Sequence, residues 1–179
     1  MQTVLYVEDD FNDRELMINA VNRAKPQFEL RLQNDFGETI DYLRNQGLYE
    51  DRGYYQPPDL VLLGYSLGDF KGTDLLDWIR KKSKFQTLPV VMFSSNTDEQ
   101  IVAKCYALSA NCFIAKPFQT TERLRLVNCL VNCLNVCLQT MPPRMEKLAE
   151  LAIRPALPRR SLRREVREYR SEAVASLSL

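Results

Sequence analysis

The chain contains no histidine. That absence removes Ser-His and Cys-His nucleophilic catalysis, histidine-ligated metal centres and any role as a phosphohistidine donor. No stretch approaches the roughly 18 unbroken apolar residues of a membrane span. The start, Met1-Gln2-Thr3-Val4-Leu5-Tyr6-Val7, runs straight into acids without a basic leader or a cleavage site. No signal peptide is expected, and the cytoplasm is the expected location. The five cysteines, Cys105, Cys112, Cys129, Cys133 and Cys137, are odd in number, which with no export signal argues against a disulfide framework. Net charge is nearly absent, +1 over 179 residues, yet it is unevenly spread. Residues 1–140 carry 15 Lys and Arg against 18 Asp and Glu, whereas residues 141–179 carry nine against five. The end of the chain is therefore a chemically distinct segment.

What is present is an ordinary globular balance, 45% hydrophobic and 26% charged, enough for a sizeable core. Short apolar runs alternate with amphipathic stretches. Thr3–Val7, Phe28–Gln33, Leu60–Leu63, Pro89–Phe93 and Cys112–Ala115 read as strands. The run Leu60-Val61-Leu62-Leu63 is wholly apolar, as in a strand buried on both faces. Between them lie helical patterns at Asp10–Ala24, with Leu16, Ile18, Ala20 and Val21 as its apolar positions, and at Asp35–Gln46, with Phe36, Ile40 and Leu43 on one side. Gly72–Lys82, with Leu75, Leu76 and Ile79 inward, Thr97–Ser109 and Thr120–Gln139 complete the set. Five β-then-α units predict a doubly wound α/β fold with a parallel sheet, and ligands beyond the carboxyl ends of its strands.

The residues at those ends are Glu8, Asp9 and Asp10 after the first strand and Gly64-Tyr65-Ser66 after the third. Ser94-Ser95-Asn96 follow the fourth and Lys116-Pro117-Phe118 the fifth. Carboxylates suit a hard dication such as Mg²⁺. A hydroxyl and an ammonium suit phosphoryl oxygens.

In these four pieces, over residues 1–139, the chain resembles the CheY-like receiver domains of two-component response regulators. The matching segments are Val4–Asp10, Pro58–Leu67, Val90–Ser95 and Phe113–Phe118. The long connection Asn45–Pro58, carrying Leu48, Tyr49, Gly53 and Tyr54, is similar to the phytochrome-associated single-domain regulators. The resemblance implies a flavodoxin-like receiver with five parallel strands in the order 2-1-3-4-5. It implies a partner sensor histidine kinase or photoreceptor, and no enzymatic activity. By motif position it makes Glu8 and Asp9, with the backbone of Ser66, the metal ligands. Ser94 (or Ser95) and Lys116 become the phosphoryl pocket, and Phe113 the switch aromatic.

The departure is Gly64, at the position of the phosphate-accepting aspartate. Glycine has no nucleophilic oxygen and removes one metal ligand, so Mg²⁺ affinity should be weakened. The leading expectation is a pseudo-receiver that signals by binding proteins. The alternative is an ordinary phosphorelay regulator in which aspartate belongs at 64 and glycine is a substitution. A hydrolase using the acidic pocket is a weaker third reading, since no nucleophile or base is organised there. Lys116 could then serve structurally by pairing with Asp9, and Phe113 as a core aromatic. Gly64 itself could satisfy a backbone bend or make room for a neighbour.

Cys129, Cys133 and Cys137 recur every four residues along one helix side, where three thiols could hold a soft metal; their apolar surroundings favour buried packing. The same helix keeps one narrow polar stripe, Arg125, Asn128, Asn132 and Asn135, and the resemblance makes a homodimer through the fourth and fifth helices its expected use. Domain 1–139 is followed by a basic extension, 140–179. Met141-Pro142-Pro143 opens it, and it carries Arg159, Arg160, Arg163, Arg164, Arg167 and Arg170. Glu165 and Glu168 interrupt the charge, so a solvated helix or tail is favoured over docking a partner, and both over nucleic acid.

Overall fold

The computed structural model describes residues 1–140, with side chains as far as Leu130. The expectations for the basic extension and for Cys133 and Cys137 fall outside the described residues. Strand β1 (Gln2–Val7) leads into helix α1 (Phe11–Ala24), then β2 (Phe28–Gln33) and α2 (Phe36–Arg44). After a long connection come β3 (Leu60–Leu63), the short hairpin strands β4 (Ser66–Leu67) and β5 (Phe70–Lys71), and α3 (Gly72–Lys81). The chain continues through β6 (Val90–Ser94), α4 (Glu99–Ala107), β7 (Cys112–Ala115) and α5 (Thr120–Thr140). The main sheet is parallel throughout, in the order β2-β1-β3-β6-β7. With the β4–β5 hairpin set aside, this is the expected 2-1-3-4-5 order of a doubly wound, flavodoxin-like receiver fold.

The apolar runs of the three central strands are explained by burial on both faces. Leu5, Val7, Val61, Leu63, Val90 and Met92 point to the side covered by α2, α3 and α4. Val4, Tyr6, Leu60, Leu62, Val91 and Phe93 point to the side covered by α1 and α5. Each such aliphatic side chain contributes about 1.5–3 kcal/mol by leaving water, so the centre of the sheet is its most rigid part. The mouth at its carboxyl end is built on that support.

Two details differ from the periodic reading. The inward face of α1 is Met17 and Ala20 with Val21 and Ala24 beside them, while Leu16 and Ile18 are only half-buried. The helix is rotated about its axis because it packs against α5 as well as the sheet. On α5, Leu126, Val127 and Leu130 are buried and Cys129 is exposed, which corrects the expectation that Cys129 packs inside. It lies beside Asn128 on the outer side of the helix. At the sheet edge, the Tyr106 hydroxyl accepts a hydrogen bond from the Phe113 N–H of β7 (3.2 Å).

Candidate functional site

The residues at the mouth are each the first past a strand, and each still holds a ladder bond to the neighbouring strand. The Glu8 N–H donates to the Gln33 carbonyl (3.0 Å), the Gly64 N–H to the Val7 carbonyl (2.8 Å) and the Lys116 N–H to the Ser94 carbonyl (2.9 Å). These bonds fix the Cα positions at the end of the sheet. The direction of each side chain then follows from the strand's two-residue alternation.

A compact charge network fills this mouth. The Lys116 ammonium donates to Glu8 Oε2 at 2.7 Å and to Asp13 Oδ2 at 2.8 Å. The other oxygen of Asp13 accepts from Arg123 Nη2 at 2.6 Å. Arg123 Nε reaches the carbonyl of Pro117, the residue after the lysine, at 3.2 Å. Glu8 and Lys116 side chains are only 3% and 9% exposed, so their attraction is weakly screened. The Tyr6 hydroxyl lies 3.5 Å from the same Glu8 oxygen. Burial pushes the Glu8 carboxyl above its ordinary value, against the opposing pull of Lys116. Burial also works to raise Asp13, but hydrogen bonds from Lys116 and Arg123 outweigh it and hold that carboxyl low. The Tyr6 phenol is raised by burial and by the two acids.

The acidic run after β1 therefore divides into three jobs. Glu8 points inward to the lysine. Asp9 instead accepts the Gly68 N–H at 2.9 Å, tying the β1 end to the turn of the β4–β5 hairpin. Lys116 thus pairs with Glu8 and Asp13, which corrects the expected Lys116–Asp9 pair. Asp10 is the N-cap of α1 and accepts the Asp13 N–H at 2.8 Å. Substitution Asp10→Ala is expected to cost about 1 kcal/mol through the lost cap, read as a lower urea midpoint with an unchanged slope.

Of the remaining expected residues, Ser94 is buried and its hydroxyl accepts the Asn96 N–H at 3.0 Å, whereas Ser95 is exposed. Ser66 opens the hairpin with its side chain in solvent. Phe113 is partly buried on β7 and packs against the core on the α4 side. Asp13 and Arg123 were not singled out from the sequence. They meet only because α1 and α5 lie side by side on one face of the sheet, a tertiary fact with no local signal.

Gly64 follows β3 directly and has no left-handed φ; among the glycines only Gly47 and Gly68 do. Its lack of a side chain matters for space rather than for backbone freedom. A Cβ built on it would overlap Glu8 Oε2 and lie 3.1 Å from the Val7 carbonyl oxygen. Gly72, at the start of α3, has a related constraint. A Cβ there would overlap the Gly64 carbonyl oxygen, and its N–H donates to the Tyr65 carbonyl at 2.6 Å.

Mg²⁺ requires near-ideal octahedral oxygen coordination. Here Glu8 Oε2 already holds an ammonium and Asp9 Oδ2 a backbone N–H. Among the described residues no three Asp, Glu, Cys or His side chains converge as a metal site. As arranged, these residues do not fit the ion.

Comparison with known proteins agrees with this architecture. The response regulator receiver domain model matches residues 4–128. The two-component response regulator ORR1 of Oryza sativa subsp. japonica is 30% identical over 128 residues, 70% of this chain and 54% of that protein. The chain thus spans about half the length of this rice relative. Response regulator Rcp1 of Synechocystis sp. is 26% identical over 126 residues, 70% of this chain and 84% of that protein. Its Mn²⁺-bound structure superposes with a TM-score of 0.65 at 25% identity, covering 79% of this chain and 98% of that one. The phosphorylated cyanobacterial phytochrome response regulator RcpA gives a TM-score of 0.66 at 26% identity, covering 80% and 99%. With the sheet order and the receiver model agreeing over most of its described length, this chain belongs to the response regulator receiver domain family of two-component signalling.

Proposed function

We propose that this chain is a receiver that no longer accepts a phosphoryl group and acts in two-component signalling as a protein-binding module. The observation that carries the reading is Gly64: the residue at the mouth of the central strand offers no carboxylate oxygen, and the space beside it is taken by Glu8. An acyl phosphate needs a carboxylate nucleophile next to a lysine. The carboxylates beside Lys116 are Glu8 and Asp13, both spent in ion pairs. Ser94, Lys116 and Phe113 are then remnants of the phosphoryl pocket and switch, and Glu8, Asp9 and the Ser66 carbonyl the remnant of a cation site whose carboxylates are engaged within the protein. The partner is a sensor histidine kinase or a photoreceptor, in the cytoplasm; the likeness to phytochrome response regulators supports the second. A homodimer through α4 and α5 fits the exposed Tyr106 and the edge position of β7. Residues 140–179 form a separate basic extension in this reading.

The test is treatment with a small phosphodonor and Mg²⁺, followed by intact mass. No gain of a phosphoryl group is expected. Stoichiometric uptake by the unaltered chain overturns the proposal and places the acceptor on a residue other than Gly64.

A further inference from the structure

Within the acidic mouth, two carboxylates and two cations form a closed quartet. Glu8 and Asp13 hold Lys116, and Arg123 holds Asp13, while Arg14 Nη1 donates to the backbone carbonyls of Glu8 and Asp9 at 2.8 and 2.9 Å. The charges of this quartet cancel with no ion added. An entering dication would raise the local charge to +2 in a poorly screened setting, or would have to expel the ammonium. Lys116 is not free to leave. Its side chain is gripped by two carboxylates, and the backbone next to it by Arg123 through the Pro117 carbonyl. The same Glu8 oxygen that binds the ammonium stands where a Cβ at position 64 would begin.

We infer that Lys116 is the resident cation of this receiver and Glu8 its resident carboxylate, with Asp13 and Arg123 as the positioning residues that lock the pair in place. The mouth is thereby closed both to a divalent ion and to a side chain at 64. The inference rests on the non-accepting reading, but its tests use no phosphate, so the two can fail separately.

The first arm is a thermal-melt cycle of Gly64→Ala, Glu8→Asp and the double variant. Gly64→Ala should lower Tm in the native background. It should lower it much less once the carboxylate is withdrawn by one methylene. Additive losses overturn the assignment of that space to Glu8. The second arm titrates Mn²⁺ by water-proton relaxation into the unaltered chain and into Lys116→Met. Removing the ammonium should tighten Mn²⁺ binding at least about tenfold, because a like charge within a few ångströms of the ion is removed. Equal or tighter binding by the unaltered chain overturns the role of Lys116. Should Lys116→Met fail to fold, Lys116→Gln, which retains a hydrogen-bond donor, replaces it with the same expectation.

Discussion

Lys116→Met is expected to destabilise the fold by about 3–5 kcal/mol at neutral pH, the cost of stripping one partner from a buried ion pair. Glu8 is 2% exposed, so without the ammonium its charge has neither water nor a counterion. The loss should depend on pH in a defined direction. Burial already raises the Glu8 carboxyl above its usual value, and Lys116 is the main force opposing that. Without the lysine the carboxyl rises further. A raised carboxyl destabilises the fold only when ionised, so the deficit should be largest near neutrality and shrink as pH falls toward the range where Glu8 is protonated. Asp13, held low by its cations, adds to the deficit in the same direction: the stability it draws from Lys116 is present at neutral pH and lost as pH drops through its folded value. Urea denaturation of both proteins at neutral and mildly acidic pH checks this. A deficit that persists or grows on acidification would mean that neither buried carboxylate controls it.

The second large effect concerns Gly72→Ala, expected to cost at least about 3 kcal/mol through overpacking. The added methyl would overlap the Gly64 carbonyl oxygen and come within 3.2 Å of the Met92 methyl. Met92 can turn aside; the carbonyl cannot, because Gly64 is bonded to Val7 by its N–H and Tyr65 to Gly72 by its C=O. The start of α3 would have to move off the end of β3. Gly68→Ala is the control. Gly68 has φ of +64° but open space around a Cβ, so its cost is conformational and about 1 kcal/mol. Chemical denaturation of the two variants should rank them clearly, and equal costs would mean that the contact with Gly64 is easily relieved.

Much of this architecture could be read along the chain. Leu60–Leu63 has no polar residue, and only a strand covered on both faces tolerates that, so the sheet type followed. The residues after each strand were legible for the same reason, since parallel topology brings all those ends to one mouth. The pairing inside the mouth was not. Whether Lys116 meets Asp9 or Glu8 depends on which side of the strand each projects from and on which oxygens the backbone has already engaged. Asp9 was lost to the Gly68 N–H, a bond across 59 positions. Asp13 looked like an ordinary acid in the first turn of a helix, and Arg123 like a surface arginine near the start of another. Cys129 was misjudged because a four-residue spacing marks one side of a helix without saying which side faces inward.

The hydrogen bond between Tyr106 and the Phe113 amide bears on how copies of this protein can meet. An outermost strand normally offers a row of unused amides to which a foreign strand can bond. β7 is four residues long, and a phenol from the adjacent helix occupies an amide within it. That amide is therefore not among the ones a foreign strand would find unused. A second copy pairing its backbone there would first have to displace the Tyr106 hydroxyl.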